Sequence, residues 1–205
     1  MKTTLSQQDF IDFWMRCYLG DSNDVMHKCI QRAYLDLNRT IHKLAKIDVI
    51  EKQKCHENLV DFIRVNSTRL FDERITNQEQ FDQEHKNICE ELQLNFKKLH
   101  TDSSIEFHYG QAQKWINMTL KYLYAVGEKE VPGVTCNYQF YHIPIDNIIR
   151  EKLAKLSVNP IKIPSVSWSR LTYEGYIEYQ IQVRNRFVNQ IPLDVEFRLF
   201  NNKEF

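Results

Sequence analysis

Tyr109-Gly110-Gln111-Ala112-Gln113-Lys114-Trp115-Ile116-Asn117 opens a segment that runs apolar through Leu123 and stops near Gly127. Its apolar residues recur at helical spacing, which predicts a helix starting near Gly110 and carrying Lys114 one turn further on. Gly110 has no Cβ, so backbone there can come close to a ligand or a phosphate. After a loop comes Pro144-Ile145-Asp146-Asn147, followed by Ile148, Ile149 and Leu153. That pattern puts Asp146 at the N-terminus of another helix, where backbone donors keep a carboxylate ionised. The two segments thus offer one lysine and one aspartate in contrasting settings.

Upstream of this motif the chain is short of turn-makers. It has 5 Gly and 5 Pro, and the prolines fall after residue 131, which favours long helices before that point. Ser6-Gln7-Gln8-Asp9 has the form of a capping box, and Phe10, Phe13, Trp14 and Cys17 follow at helical spacing up to Gly20. Ser22 or Asn23 is placed to cap a second helix bearing Met26, Ile30, Ala33, Leu37, Ile41 and Leu44. Leu59, Phe62 and Ile63, then Phe81, Ile88, Leu92, Phe96 and Leu99, predict two more amphipathic helices separated between residues 66 and 77. Four helices are therefore expected before Thr101-Asp102-Ser103-Ser104 breaks the pattern.

Residues 128 to 143, with Pro132-Gly133 and the aromatic set Tyr138, Phe140 and Tyr141, form an irregular loop of a length that often carries function. Asn159-Pro160 and Pro164 mark a further connection. Near the C-terminus two periods compete. Ile177, Tyr179, Ile181 and Val183, and later Leu193, Val195, Phe197 and Leu199, alternate as in a β-hairpin, whereas Tyr173, Tyr176, Ile177, Gln180 and Arg184 fit one helix face. The expected fold is mainly α: a helical lobe over 1–100, the hairpin and Lys/Asp motif over 101–156, and a C-terminal lobe over 157–205. That last lobe reads as helical in keeping with the rest, with a small β-hairpin as the alternative.

The 205 residues are 42% hydrophobic and 26% charged, an ordinary globular composition with enough chain for one sizeable core. No run approaches the roughly 20 apolar residues of a membrane span and Met1-Lys2-Thr3-Thr4-Leu5 has no signal-type apolar region, so a cytoplasmic location is expected. Cys17, Cys29, Cys55, Cys89 and Cys136 are odd in number and widely spaced, which argues for reduced thiols. Cys55-His56 and His85/Cys89 each supply two ligands where a structural zinc needs four, so neither a metal nor another cofactor is expected. With 27 basic and 27 acidic residues the chain does not hold nucleic acid by bulk charge alone. Positive charge does concentrate around the motif, at Lys97, Lys98 and His100 before it and at Lys121, Arg150, Lys152 and Lys155 after it.

Gly110, Ala112, Lys114 and Asn117, with Ile143-Pro144-Ile145-Asp146 downstream, resemble the helix-hairpin-helix DNA glycosylase superfamily. Its hairpin pattern is apolar-Pro-Gly-apolar-Gly-x-Lys, followed at a distance by an aspartate at a helix start. Gly110 matches the first hairpin glycine, Lys114 the lysine of the bifunctional branch, and Asp146 the aspartate, with Arg150 trailing it. Tyr109 stands where the pattern has proline and Ala112 where it has the second glycine. The long loop from Gly127 to His142 is similar to that of the archaeal 8-oxoguanine glycosylases, and the iron–sulfur cysteines of some relatives are absent. The resemblance covers residues 105 to 156.

What the resemblance implies is a two-lobed helical protein that excises a modified or damaged base, such as an oxidised purine or a modified base of phage DNA, in repair or in defence. Its partner is then duplex DNA, gripped through Gly110, Gln111, Ala112, Gln113, Lys97, Lys98 and Arg150. Such an enzyme extrudes the base at a cost of about a few kcal/mol and then stabilises positive charge on the sugar. Asp146 would supply that charge, and Lys114 would attack the sugar carbon and form an imine once it has given up a proton. Trp115, Phe140, Tyr141, His142 and Trp168 are the candidate base pocket. The competing reading is a non-enzymatic helical interaction or defence-associated adaptor protein, with the aromatic loop as its partner surface.

Overall fold

The computed structural model describes residues 4–20, 24–44, 47–100, 102, 104–156, 159–162 and 165–203. Among them are eight α-helices and no strand: α1 (Gln7–Leu19), α2 (Val25–Leu35), α3 (Val49–Ser67), α4 (Gln78–Leu99), α5 (Tyr109–Val126), α6 (Asn147–Ala154), α7 (Tyr173–Arg186) and α8 (Pro192–Phe200). Ser6 and Asp9 form the expected capping box on α1, and Gly20 closes that helix at φ 83°. Four helices do precede the motif. The C-terminal alternation is not a β-hairpin: both stretches are helical, α7 capped by Thr172 and α8 started by Pro192 at its first turn.

The second helix is shorter than its periodicity predicts. Leu37, Ile41 and Leu44 are buried, but they follow α2 in turns and a short 3₁₀ stretch (Asn38–Thr40). Tertiary partners take the polar groups there, since Tyr122 Oη donates to Asp36 and Gln111 Nε2 donates to the Thr40 carbonyl at 2.9 Å. The cap of α2 is Asp24; Ser22 and Asn23 lie outside the described residues, as do Thr101, Ser103 and Pro164.

α5 is the axis of the molecule. It packs on α2, α3, α4, α7 and the turn Trp168–Arg170, and every residue from Tyr109 to Lys121 is buried. One apolar cluster surrounds it, drawing residues from Cys29 to Leu199 and hence from all three expected segments. A helix buried all round must partner its own polar side chains. Gln113 Nε2 donates to the Gly110 and Ile145 carbonyls, and Trp115 Nε1 donates to Ile30 O at 3.0 Å.

Asn117 starts a longer chain of partners. Its Oδ1 faces His85 Nε2 at 2.8 Å and its Nδ2 donates to Tyr176 Oη at 2.8 Å. Tyr176 Oη meets His142 Nδ1 at 2.7 Å, His142 Nε2 meets Asp82 Oδ1 at 2.7 Å, and Arg184 forks onto both Asp82 oxygens.

Gly110 is in the first turn of α5, which corrects the expectation of a hairpin turn there. A Cβ on it would lie 2.0 Å from the Trp168 carbonyl oxygen and 2.9 Å from the Ser169 carbonyl carbon, and its N–H donates to Leu171 O at 3.0 Å. The glycine therefore admits a neighbouring segment of its own chain. Gly110→Ala is expected to destabilise the fold by about 3 kcal/mol, because the contacts are backbone atoms that cannot rotate away. Urea denaturation checks this, and an unchanged midpoint would show that the 167–171 turn gives way freely.

Candidate active site

Asp146 caps α6 as its sequence predicts: Oδ1 accepts from Ile149 N at 2.9 Å. Its other oxygen, Oδ2, accepts from Lys114 Nζ at 2.5 Å. The two side chains that the sequence singles out thus come from separate elements and meet. The lysine side chain is 4% exposed and the aspartate 22%, so the carboxylate is the member of the pair nearer to solvent.

The pair lies in the wall of a cleft of about 600 Å³, framed by α1, α2, α5, α6 and α8. That volume is within the usual range for small-ligand pockets, roughly 300–1,000 Å³. Seven residues beyond Lys114, two turns along the same helix, Lys121 lines the cleft too. Its Nζ is 2.8 Å from Glu196 Oε1 and 2.7 Å from Oε2, and only the Oε1 contact is aligned as a hydrogen bond. Burial pushes the Glu196 carboxyl above its ordinary range, against the pull of Lys121 and Lys114. The rings of Phe197 and Phe200 flank the Lys121 ammonium at 5.0 and 4.4 Å. Across the cleft, Arg32 pairs with Asp36 at 3.8 Å and lies over the Tyr18 ring at 4.4 Å. Tyr18 Oη and Tyr122 Oη are 2.9 Å apart, so one hydroxyl contact ties α1 to α5.

The remaining candidates fall elsewhere. Gln111, Ala112 and Gln113 are at most 1% exposed, and Gly110 is buried as well, so this stretch offers no surface to a phosphate. Arg150 is 6% exposed and donates from Nε to Tyr179 Oη at 3.2 Å. Lys97 and Lys98 are exposed on the last turn of α4. They alone of the expected DNA-contacting residues face solvent.

None of the five expected pocket residues lines the cleft. Trp115 is core, Tyr141 donates to Val134 O at 2.6 Å, His142 belongs to the Asp82 network, and Trp168 backs onto Gly110. Phe140 is half-buried beside Phe81. The corrections share one cause: an aromatic ring close in sequence to a site is recruited first by the core, which rewards its area. The rings that do line the cleft are Trp14, Tyr18, Tyr122, Phe197 and Phe200. The sequence places none of them at a site: Trp14 and Phe197 enter it only as apolar positions of a pattern. Lys121 was legible through its two-turn spacing from Lys114, whereas Glu196 required knowing that residues 192–200 are helical.

No group of three or more His, Cys, Asp or Glu suited to a metal occurs among the described residues. No described helix is long and apolar enough to cross a membrane. Comparison with family models, with curated proteins and with solved structures gave no match, so the site speaks through its own geometry.

Proposed function

We propose that this protein is a base-excision glycosylase acting on a modified or damaged base in DNA, with Lys114 as nucleophile and Asp146 as its carboxylate partner, as the resemblance to the helix-hairpin-helix glycosylases implies. The observation that carries the reading is the 2.5 Å contact between Lys114 Nζ and Asp146 Oδ2 in the wall of an aromatic-lined cleft. The step balances within that pair. Lys114 gives a proton to Asp146, and the free amine attacks the sugar carbon. The glycosidic electron pair leaves with the base, which takes up that proton; the C1′–O4′ bond then breaks as a proton passes from the new C–N cation to the ring oxygen, and the resulting protonated imine lies beside the regenerated carboxylate. A fixed anion next to developing sugar charge favours the transition state over the ground state.

The decisive assay incubates wild-type protein with duplexes carrying a panel of oxidised, deaminated and phage-type modified bases and follows base release and borohydride trapping. Release of at least one base, with a trapped protein–DNA adduct, is the expected result. No release from any member would overturn the proposal. It would also favour the adaptor reading, whose specific support is α1: no residue of that helix is buried, and Phe10, Ile11, Phe13 and Trp14 face solvent.

A further inference from the structure

The cleft's own charges cancel. Lys114, Lys121 and Arg32 face Asp146, Glu196 and Asp36, and each cation is within 4 Å of one of these carboxylates. A wall of this kind has no surplus cation for a phosphate and no surplus anion for an amine, so an occupant without net charge suits it best. Its rings supply flat apolar surface for a planar occupant.

Within that wall the Lys121–Glu196 pair has unused capacity. Glu196 is 2% exposed, and its buried Oε2 receives no aligned hydrogen bond although the ammonium is 2.7 Å away. A carboxylate accepts about four hydrogen bonds and an ammonium donates three, so one aligned contact leaves acceptor and donor sites on adjacent groups. An adjacent acceptor and donor complement an amide or amidine edge. We infer that Lys121 and Glu196 read the N–H/acceptor edge of an uncharged planar heterocycle, a nucleobase bearing an exocyclic amine or ring amide, held among the cleft's rings. This deepens the glycosylase reading and rests on it for the occupant's origin in DNA, while its own observation is the second ion pair.

The test titrates the whole protein with free adenine and hypoxanthine, which carry such an edge, and with caffeine, a purine whose N–H groups are all methylated. Binding is read by calorimetry and by the fluorescence of Trp14, the exposed tryptophan of the cleft. Adenine or hypoxanthine is expected to bind about 10-fold or more tighter than caffeine, as befits a hydrogen bond to a charged group. Lys121→Met/Glu196→Leu should erase that preference. The double substitution removes both charges together, so the fold is not left with an unpaired buried ion. Equal binding of all three ligands to wild type, no binding of any, or a preference that survives the double variant would overturn the inference. Free-base binding without release from any duplex would defeat the glycosylase reading and leave this one standing. Release from duplex with no edge preference would do the reverse.

Discussion

Lys114→Gln is expected to abolish borohydride trapping on every duplex, whereas Asp146→Asn is expected to slow base release by about 10²–10³-fold and to keep trapping on a preformed abasic site. The split follows from what each atom does. The amine forms the bond that borohydride reduces, so no substitute without a nucleophilic nitrogen leaves an adduct. The carboxylate's charge is needed while the base leaves, a step that an abasic duplex bypasses, and on that duplex solvent water takes the Lys114 proton in its place.

Asparagine keeps the cap on α6, because its side-chain oxygen still accepts from Ile149 N. It does strand the Lys114 ammonium, 4% exposed, without its anion, and about 3 kcal/mol of stability should go with it. Lys114→Met/Asp146→Asn should recover most of that loss, a contrast that urea denaturation reads directly. Circular dichroism confirms that each variant is folded at the assay temperature. Trapping that survives Lys114→Gln would remove this lysine from the mechanism.

The second large effect concerns the network behind the site. Burial pushes Asp82 up, but hydrogen bonds from His142, Arg184 and Gln78 outweigh it and hold the carboxyl well below its usual range. Burial lowers His85 and His142, the latter against the pull of Asp82. The hydrogen-bond chain points the same way. Asn117 donates to Tyr176 Oη, and that hydroxyl is placed to give its own proton to Nδ1 of a neutral His142 whose ring proton on Nε2 faces Asp82.

All three groups therefore bind fewer protons folded than unfolded, and stability falls as pH falls. The histidine contribution is complete above the unfolded value near 6.5 and declines below it, by up to about 1.4 kcal/mol per pH unit for each. The Asp82 contribution declines below about 3.9. Urea midpoints are expected to be level between pH 7 and 8 and to drop steeply between pH 6.5 and 4. Asp82→Asn at pH 7.5 should cost about 3 kcal/mol, the low end for a buried pair because Arg184 is 21% exposed. A midpoint independent of pH from 8 to 4 would show that the network does not hold its histidines neutral.

The sequence by itself determined most of the helices before residue 156 and several of their ends. Ser6 with Asp9, Asp146 and the glycines at 20 and 127 cap where the local pattern says, because capping satisfies backbone groups within a turn or two of the residue that does it. It also singled out Lys114 and Asp146, each on an element whose start is locally encoded, and their side chains meet at 2.5 Å. What only the tertiary structure decided was how far residues lie from water. Gln111, Gln113 and Asn117 are polar by composition yet buried, because neighbouring segments enclose the first turns of α5 and partner them. Gly110 leaves room by its sequence for a ligand, and in the fold that space is filled by residues 168–171.

The helix-or-strand ambiguity near the C-terminus, where alternation and helical spacing overlap, was decided in favour of α8, which presents Glu196, Phe197 and Phe200 to the cleft. The walls of that cleft come from residues 14 to 201, and no local period encodes their meeting. Periodicity reports which face of an element is apolar, but which faces come together is set by the packing of the whole core.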